Sequence, residues 1–219
     1  MAKSQIIKDI ANDNVSLESS LKRAIIIATD LGNEKIRKLL SLELYGYSKE
    51  DELPEYRKLD GQIKIDYTAG YTIVTNQSIS LGNIMSEYRG IVSKYWCSEG
   101  VSSIVKVVNS DSDQQMVDYT DYVFAVTKQP RINVNRLTLW ISKVSFENII
   151  DKVKQIVFEF LLEADKIFGN LDSLDVVATD EEKEKFNSLI NVHIESLVQI
   201  GSNNKIKGTN IAGQDIGVE

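Results

Sequence analysis

Residues 144–169 read VSFENIIDKVKQIVFEFLLEADKIFG, and the spacing of their apolar side chains decides the fold. Ile149, Ile150, Val153, Ile156, Val157, Phe160, Leu161, Ala164 and Ile167 recur at three and four, the period of a helix face. Ser145 stands where a cap belongs and Gly169 where a C-terminal stop belongs, so the spacing predicts a long helix over 146–168. Its apolar stripe is wider than a surface helix needs, so it must be buried against a sheet or a partner. Asp151, Lys152, Lys154, Glu159, Glu163 and Asp165 interrupt the stripe, each costly in lipid, which argues against a membrane span.

Upstream, the period is two. Residues 132–142 and 115–126 read as strands on β-branched and aromatic content, and 62–68 with 71–75 read as a hairpin around Ala69-Gly70. Residues 81–95 space Ile84, Met85, Tyr88, Ile91 and Val92 as a helix would, while 101–108 fits a short helix or a strand. Near the N-terminus, Asn14 or Ser16 caps a helix carrying Leu17, Leu21, Ala24, Ile25, Ala28 and Leu31 and ending at Gly32. Asn33 caps a second helix carrying Ile36, Leu39, Leu40 and Leu44 that ends near Gly46. The short Gly-Asn connection makes these a helical hairpin. Pro54 pushes Leu53 out of helical geometry, so 48–57 leaves as a turn and an extended arm.

Downstream, a polar linker over 170–179 leads to Thr179 and Glu182, spaced as a capping box for a short charged helix ending near Ile190. From Val198 the chain runs VQIGSNNKIKGTNIAGQDIGVE, with Ile200, Ile206, Ile211 and Ile216 separated by Gly, Asn, Gln, Ser and Asp. Regular isoleucines between polar turns can stack between identical chains as a homotypic β assembly element; a flexible polar tail is the alternative. The expected class is α+β: an N-terminal helical hairpin, a small antiparallel sheet, a long buried helix, then a short helix and a polar repeat-like β tail. The expected organisation is a globular domain over 1–170, a linker and charged helix over 171–197, and the tail over 198–219.

Composition limits the chemistry. Across 219 residues the formal net charge is −7, which disfavours general nucleic-acid binding. A local basic patch of Lys128, Arg131, Arg136 and Lys143 is set against plain solvated loop charges. The N-terminus lacks an apolar run long enough for a signal peptide, and the single cysteine, Cys97, cannot form an internal disulfide; both point to the cytoplasm. One histidine, His193, leaves serine and cysteine nucleophiles without an ordinary base and zinc without a ligand set. Phosphate-binding glycine loops are absent. Asp111, Asp113, Asp118 and Asp121 lack the glycine and glutamate of a calcium loop, with Met116 and Tyr122 standing in their places. Glu181-Glu182-Lys183 falls on a helix, where a metal nuclease wants a strand. No cofactor and no metal is expected. Glu43 and Arg57 are the polar pair of most interest, since both lie among large apolar residues where a buried charge needs a partner. The pair reads as structural, holding the arm to the second helix.

The blocks LKRAIIIATDLG, LLSLELYGYSKEDELPEYR, Gly61 and VSFENIIDKVKQIVFEFLLEADK together resemble the AbiTii domain of bacterial abortive-infection systems, over roughly residues 15–168. The most specific part is ELxGY…LPxYR, carried here by Glu43, Leu44, Gly46, Tyr47, Leu53, Pro54, Tyr56 and Arg57. Lys38-Leu39-Leu40 departs from the family pattern, where a tryptophan is common. The resemblance implies participation in defence against phage and brings no catalytic residues with it. Two functions follow. One is a defence component that binds and self-assembles as a homo-oligomer, with a partner from its operon or from the phage. The other is a metal-dependent or unfamiliar toxin or nuclease acting through Asp111, Asp113, or Glu43 with Arg57.

Overall fold

The computed structural model describes residues 3–127 and 130–199. Local capping accounts for the N-terminal hairpin. Helix α2 (Leu17–Asp30) starts where the Ser19 amide donates to Ser16 Oγ, and α3 (Glu34–Tyr45) where the Ile36 amide donates to Asn33 Oδ1. Gly32 reverses the chain between them at φ +65°, a conformation other residues adopt at a cost. A preceding helix, α1 (Gln5–Ala11), went unseen in the sequence because it is too short to show a period.

After the arm, β1 (Lys58–Asp60) is followed by β2 (Gln62–Ala69) and β3 (Thr72–Ser78), joined at Gly70. The chain then passes through a short helix α4 (Arg89–Val92), strand β4 (Lys94–Trp96), helix α5 (Val101–Val108), and strands β5 (Gln114–Asp118) and β6 (Asn133–Ser142). An antiparallel sheet has the order β3-β2-β6-β5, and β1 pairs with β4 in a separate two-stranded ribbon. A bulge between Asp66 and Tyr67 breaks the β2 register, and the Asp66 carboxylate accepts from the Asn76 amide at 2.7 Å.

Helix α6 (Lys143–Phe168) follows β6 directly. Ser142, not Ser145, takes the N-cap position: it is extended at ψ 141° without a side-chain cap bond, and the Lys143 amide that follows donates to the Asp113 carbonyl at 2.9 Å. The wide stripe is covered chiefly by helices of its own chain, α1, α2, α5 and α7 (Asp180–Gln199), rather than by a sheet face or a partner. Ile149, Val153, Ile156, Val157, Phe160, Leu161 and Ala164 have no exposed surface. The last helix runs beyond Ile190 to Gln199, since Phe186, Ile190, Ile194 and Leu197 continue one buried face into the same core.

Two expected elements differ. Residues 81–95 form 3₁₀ turns at Leu81–Asn83 and Ser86–Tyr88, then α4 and β4, instead of one helix. The apparent face divides: Ile84 is buried where its backbone bridges to Val126, whereas Met85 and Ile91 face solvent. The strand expected over 115–126 stops at Asp118, whose carboxylate accepts from the Thr120 amide at 2.8 Å and starts a 3₁₀ segment, Thr120–Ala125. The expected β tail with Ile200, Ile206, Ile211 and Ile216, and Lys128 of the basic patch, lie outside the described residues.

Candidate functional site

Glu43 leaves the last turn of α3 and Arg57 leaves the 3₁₀ turn Glu55–Arg57 that follows Pro54, and the two side chains meet with no exposed surface on either. Arg57 Nη2 donates to Glu43 Oε2 at 2.5 Å, and Nε lies 3.2 Å from the same oxygen. The Tyr56 hydroxyl donates to Glu43 Oε1 at 2.5 Å, the Tyr47 hydroxyl donates to it as well, and the Tyr47 ring packs 4.8 Å from the guanidinium carbon. The other arm of the guanidinium crosses to the segment between β4 and α5: Nη1 donates to the carbonyls of Cys97 at 3.0 Å and Glu99 at 2.7 Å. Two tyrosine donors and one guanidinium therefore compensate a buried carboxylate, and two carbonyls occupy guanidinium hydrogens that the carboxylate cannot reach.

The backbone completes this clasp. The Tyr47 amide donates to the Ser98 carbonyl at 2.7 Å, and the Cys97 amide to the Arg57 carbonyl at 2.9 Å. Gly46, at φ +99°, bridges to Glu99, and a Cβ on Gly100 would stand 2.5 Å from the Leu44 carbonyl oxygen. Only glycines let α3 and this segment approach so closely. Three separate stretches of chain are thus fastened at one point.

Charge here is fixed rather than poised. Burial pushes the Tyr47 and Tyr56 hydroxyls far above the ordinary tyrosine range, and the Glu43 carboxylate pushes them further. Burial by itself would lower Arg57, but Glu43 outweighs it and the guanidinium stays charged. Burial also pushes the Cys97 thiol up to about 12, so it is a protonated core side chain at neutral pH and no nucleophile. Tyr95 donates to the Glu99 carboxylate at 2.6 Å on the outer side of the clasp.

The remaining candidates lie apart. Among the described residues no three His, Cys, Asp or Glu side chains gather closely enough to hold a metal ion. Asp118 faces Arg136 at 3.5 Å, and Lys143 donates to the Ser110 carbonyl at 2.8 Å, so these two cations are occupied locally. Glu182 closes the capping box with the Thr179 amide at 2.8 Å. His193 lies 3.6 Å from Glu159 on the α6/α7 surface.

A second feature has no counterpart in the sequence reading. A groove of about 670 Å³ opens beside the edge strand β3, with Ile65, Tyr67, Ile79, Phe124, Val126 and Val134 as its larger apolar lining. Its described lining adds Gln77, Ser80, Asn83, Thr127 and Asn133 but holds no carboxylate, histidine, cysteine or cation. A hollow of this size suits a small ligand or a peptide side-chain cluster.

Among the described residues no helix is long and apolar enough to cross a membrane. The model of the AbiTii family matches residues 4–191. No curated protein and no solved structure matches the chain.

Proposed function

The chain belongs to the AbiTii family of abortive-infection domains, and from that premise we propose that it serves phage defence by binding and self-assembly rather than by catalysis. One observation carries this reading. The block through which the chain resembles its family, Glu43 to Tyr47 and Leu53 to Arg57, closes into a clasp whose two charged groups have no contact with solvent. A general acid, base or nucleophile must reach its substrate, and these groups reach only each other, two tyrosine hydroxyls and two backbone carbonyls. The buried stripe of α6 is satisfied within the chain, so this reading gives the joining of copies to the isoleucine repeat in the sequence after α7. The neutral, partly apolar groove beside β3 suits a partner or trigger of matching character.

The test compares the solution mass of the full-length protein, by light scattering after size exclusion, with a truncation ending at Gln199. That end point keeps Ile194 and Leu197, which are part of the core. Assembly of the full-length chain alone, with loss of protection from phage in the truncation, is the expected result. Equal mass and equal protection would sink the reading.

A further inference from the structure

Strand β5 ends the sheet, and its outer edge meets a hollow. The ladder to β6 is framed by the Tyr119 amide on the Leu137 carbonyl and the Lys143 amide on the Asp113 carbonyl, each at 2.9 Å. Gln115 and Val117 pair with Ile141 and Leu139 in the same register. Hydrogen-bonded positions alternate along an antiparallel pair, so Gln115 and Val117 give their main-chain groups to β6 while Gln114, Met116 and Asp118 turn theirs outward. Ser112 engages both groups of Gln114, its hydroxyl donating to the carbonyl at 2.5 Å and accepting from the amide at 3.4 Å. The Met116 N–H and C=O have no hydrogen-bond partner among the described residues.

A hollow of about 160 Å³ is lined by this edge and by α5, with Ile104, Val107, Val117 and Phe146 as its larger apolar residues and Tyr95 and Glu99 as its polar pair. Leu139 and Ile141 have no exposed surface, whereas Val117, beside Leu139 on the same face of the sheet, is only half-buried. A cavity of about 150 Å³ holds a benzene ring, so this hollow takes one large apolar side chain. The charge around it is negative. Over residues 106–121 the chain holds Asp111, Asp113, Asp118 and Asp121 against Lys106, and Glu99 stands in the hollow's lining. Arg136 offsets Asp118 at 3.5 Å and Lys143 is held by the Ser110 carbonyl, but Asp111, Asp113 and Asp121 have no ion-pair partner among the described residues.

We infer that the β5 edge binds an extended peptide segment of a partner protein as a fifth strand, with one apolar side chain of leucine to phenylalanine size in the hollow and a lysine or arginine toward Asp111 and Asp113. The occupant is a peptide because an extended backbone offers an amide and a carbonyl at the spacing of the open Met116 pair. A strand laid beside β5 turns alternate side chains to the face that carries Val117, over the hollow. The occupant is basic because the edge is acidic, and a second copy of this chain would bring the same carboxylates against it. The inference deepens the binding reading above and rests on it for a role in defence; the docking itself does not depend on the isoleucine repeat.

The test titrates the full-length protein with the peptide acetyl-Thr-Lys-Val-Phe-Val-Lys-Thr-amide, by calorimetry and by amide hydrogen exchange. Binding should saturate, and replacing the peptide's phenylalanine by alanine should weaken it by about tenfold or more. Replacing its lysines by glutamates should weaken it most at low salt. Methylating the amide nitrogens of its valines, which a strand offers to β5, should weaken it by about fivefold. Exchange of the Met116 amide should slow on the order of tenfold at saturation, while that of Val117, already committed to β6, should not change. In the protein, Val107→Trp fills the hollow and should abolish binding. Asp111→Asn with Asp113→Asn alters exposed side chains only and should weaken binding several-fold, which keeps the test standing if Val107→Trp unfolds. No saturable binding, or binding unmoved by these protein variants and without protection of Met116, would overturn the inference. So would a full-length protein that is dimeric by light scattering with Met116 protected in the absence of peptide, since the edge would then belong to a second copy. Binding with the expected sensitivities, but full protection from phage in a folded Val107→Trp, would uphold the peptide site and end its part in the defence reading.

Discussion

Arg57→Ala is the perturbation that weighs the clasp. The substitution leaves the Glu43 carboxylate buried with two tyrosine hydroxyls but no opposite charge, and it removes the donor that serves the Cys97 and Glu99 carbonyls. Removing one member of a buried ion pair costs about 3–5 kcal/mol, a large share of the roughly 5–15 kcal/mol that holds a domain folded. In a protein of this length each kcal/mol moves the melting temperature by about 2–4 °C, so a loss of roughly 6–20 °C is expected. Calorimetry and urea unfolding of the purified full-length chain measure it. Arg37→Ala is the internal control: its pair with Glu34 is 41% and 72% exposed, and its loss should cost no more than about 0.5 kcal/mol. Replacing both partners, Glu43→Leu with Arg57→Met, should be milder than either single change, because no lone charge is left behind. Protection from phage should follow stability across the series. A folded Arg57→Lys variant of near-normal stability but without protection would refute the reasoning, and so would an Arg57→Ala cost below about 1 kcal/mol.

Three further outcomes follow from the geometry. Gly100→Ala forces a Cβ to within 2.5 Å of the Leu44 carbonyl oxygen and should cost about 1–3 kcal/mol by urea unfolding. The Cys97 thiol, raised by burial to about 12 from 9.0, contributes stability that is fully present below pH 9 and lost as pH rises toward 12. At pH 10 the loss relative to neutral pH is about 1.4 kcal/mol, which Cys97→Ala should abolish in unfolding curves taken at pH 7 and pH 10. Asp165 behaves oppositely. Burial alone would raise it, but the Ser4 hydroxyl and amide and Lys3 outweigh burial and hold it below the usual range, so its contribution is present above pH 3.8 and lost below. Asp165→Asn should loosen α1 first, seen as faster amide exchange over residues 5–11 with α2 unchanged.

What the sequence disclosed depended on how local the cause was. Ser16 and Asn33 cap helices through their own third neighbours, so the N-terminal hairpin could be read in place. Thr179 and Glu182 are a reciprocal pair of the same kind. The region 81–95 departs from its helical spacing because its apolar residues answer to distant partners, such as Ile84 to Val126, and a periodicity count cannot tell a shared face from a coincidence. The pairing of Glu43 with Arg57 could be proposed from their apolar surroundings. The carbonyls of Cys97 and Glu99 could not, since a backbone acceptor leaves no mark on residue identity. Gly100 was the available signal: a glycine just before the apolar run of α5 marks a close approach, although not what approaches. The anchoring of α1 by Asp165 was hidden for the same reason, its partners being 161 residues apart.

The distribution of polar groups separates what holds this fold from what can act. Four functional side chains, Glu43, Tyr47, Tyr56 and Arg57, are spent joining the end of α3, the arm and the segment before α5, and each satisfies another. Two of the surfaces left open are of a different character. The groove beside β3 carries no charge in its described lining, and the α6/α7 groove is apolar with carboxylates on one side. The raised values of Tyr47 and Tyr56 report burial alongside the Glu43 carboxylate, and those of Tyr95 and Cys97, which line a small hollow of about 160 Å³ with Glu99, also have burial as their first cause. If the chain acts by contact, as proposed above, the groove beside β3 and the α6/α7 groove are surfaces that a partner would cover.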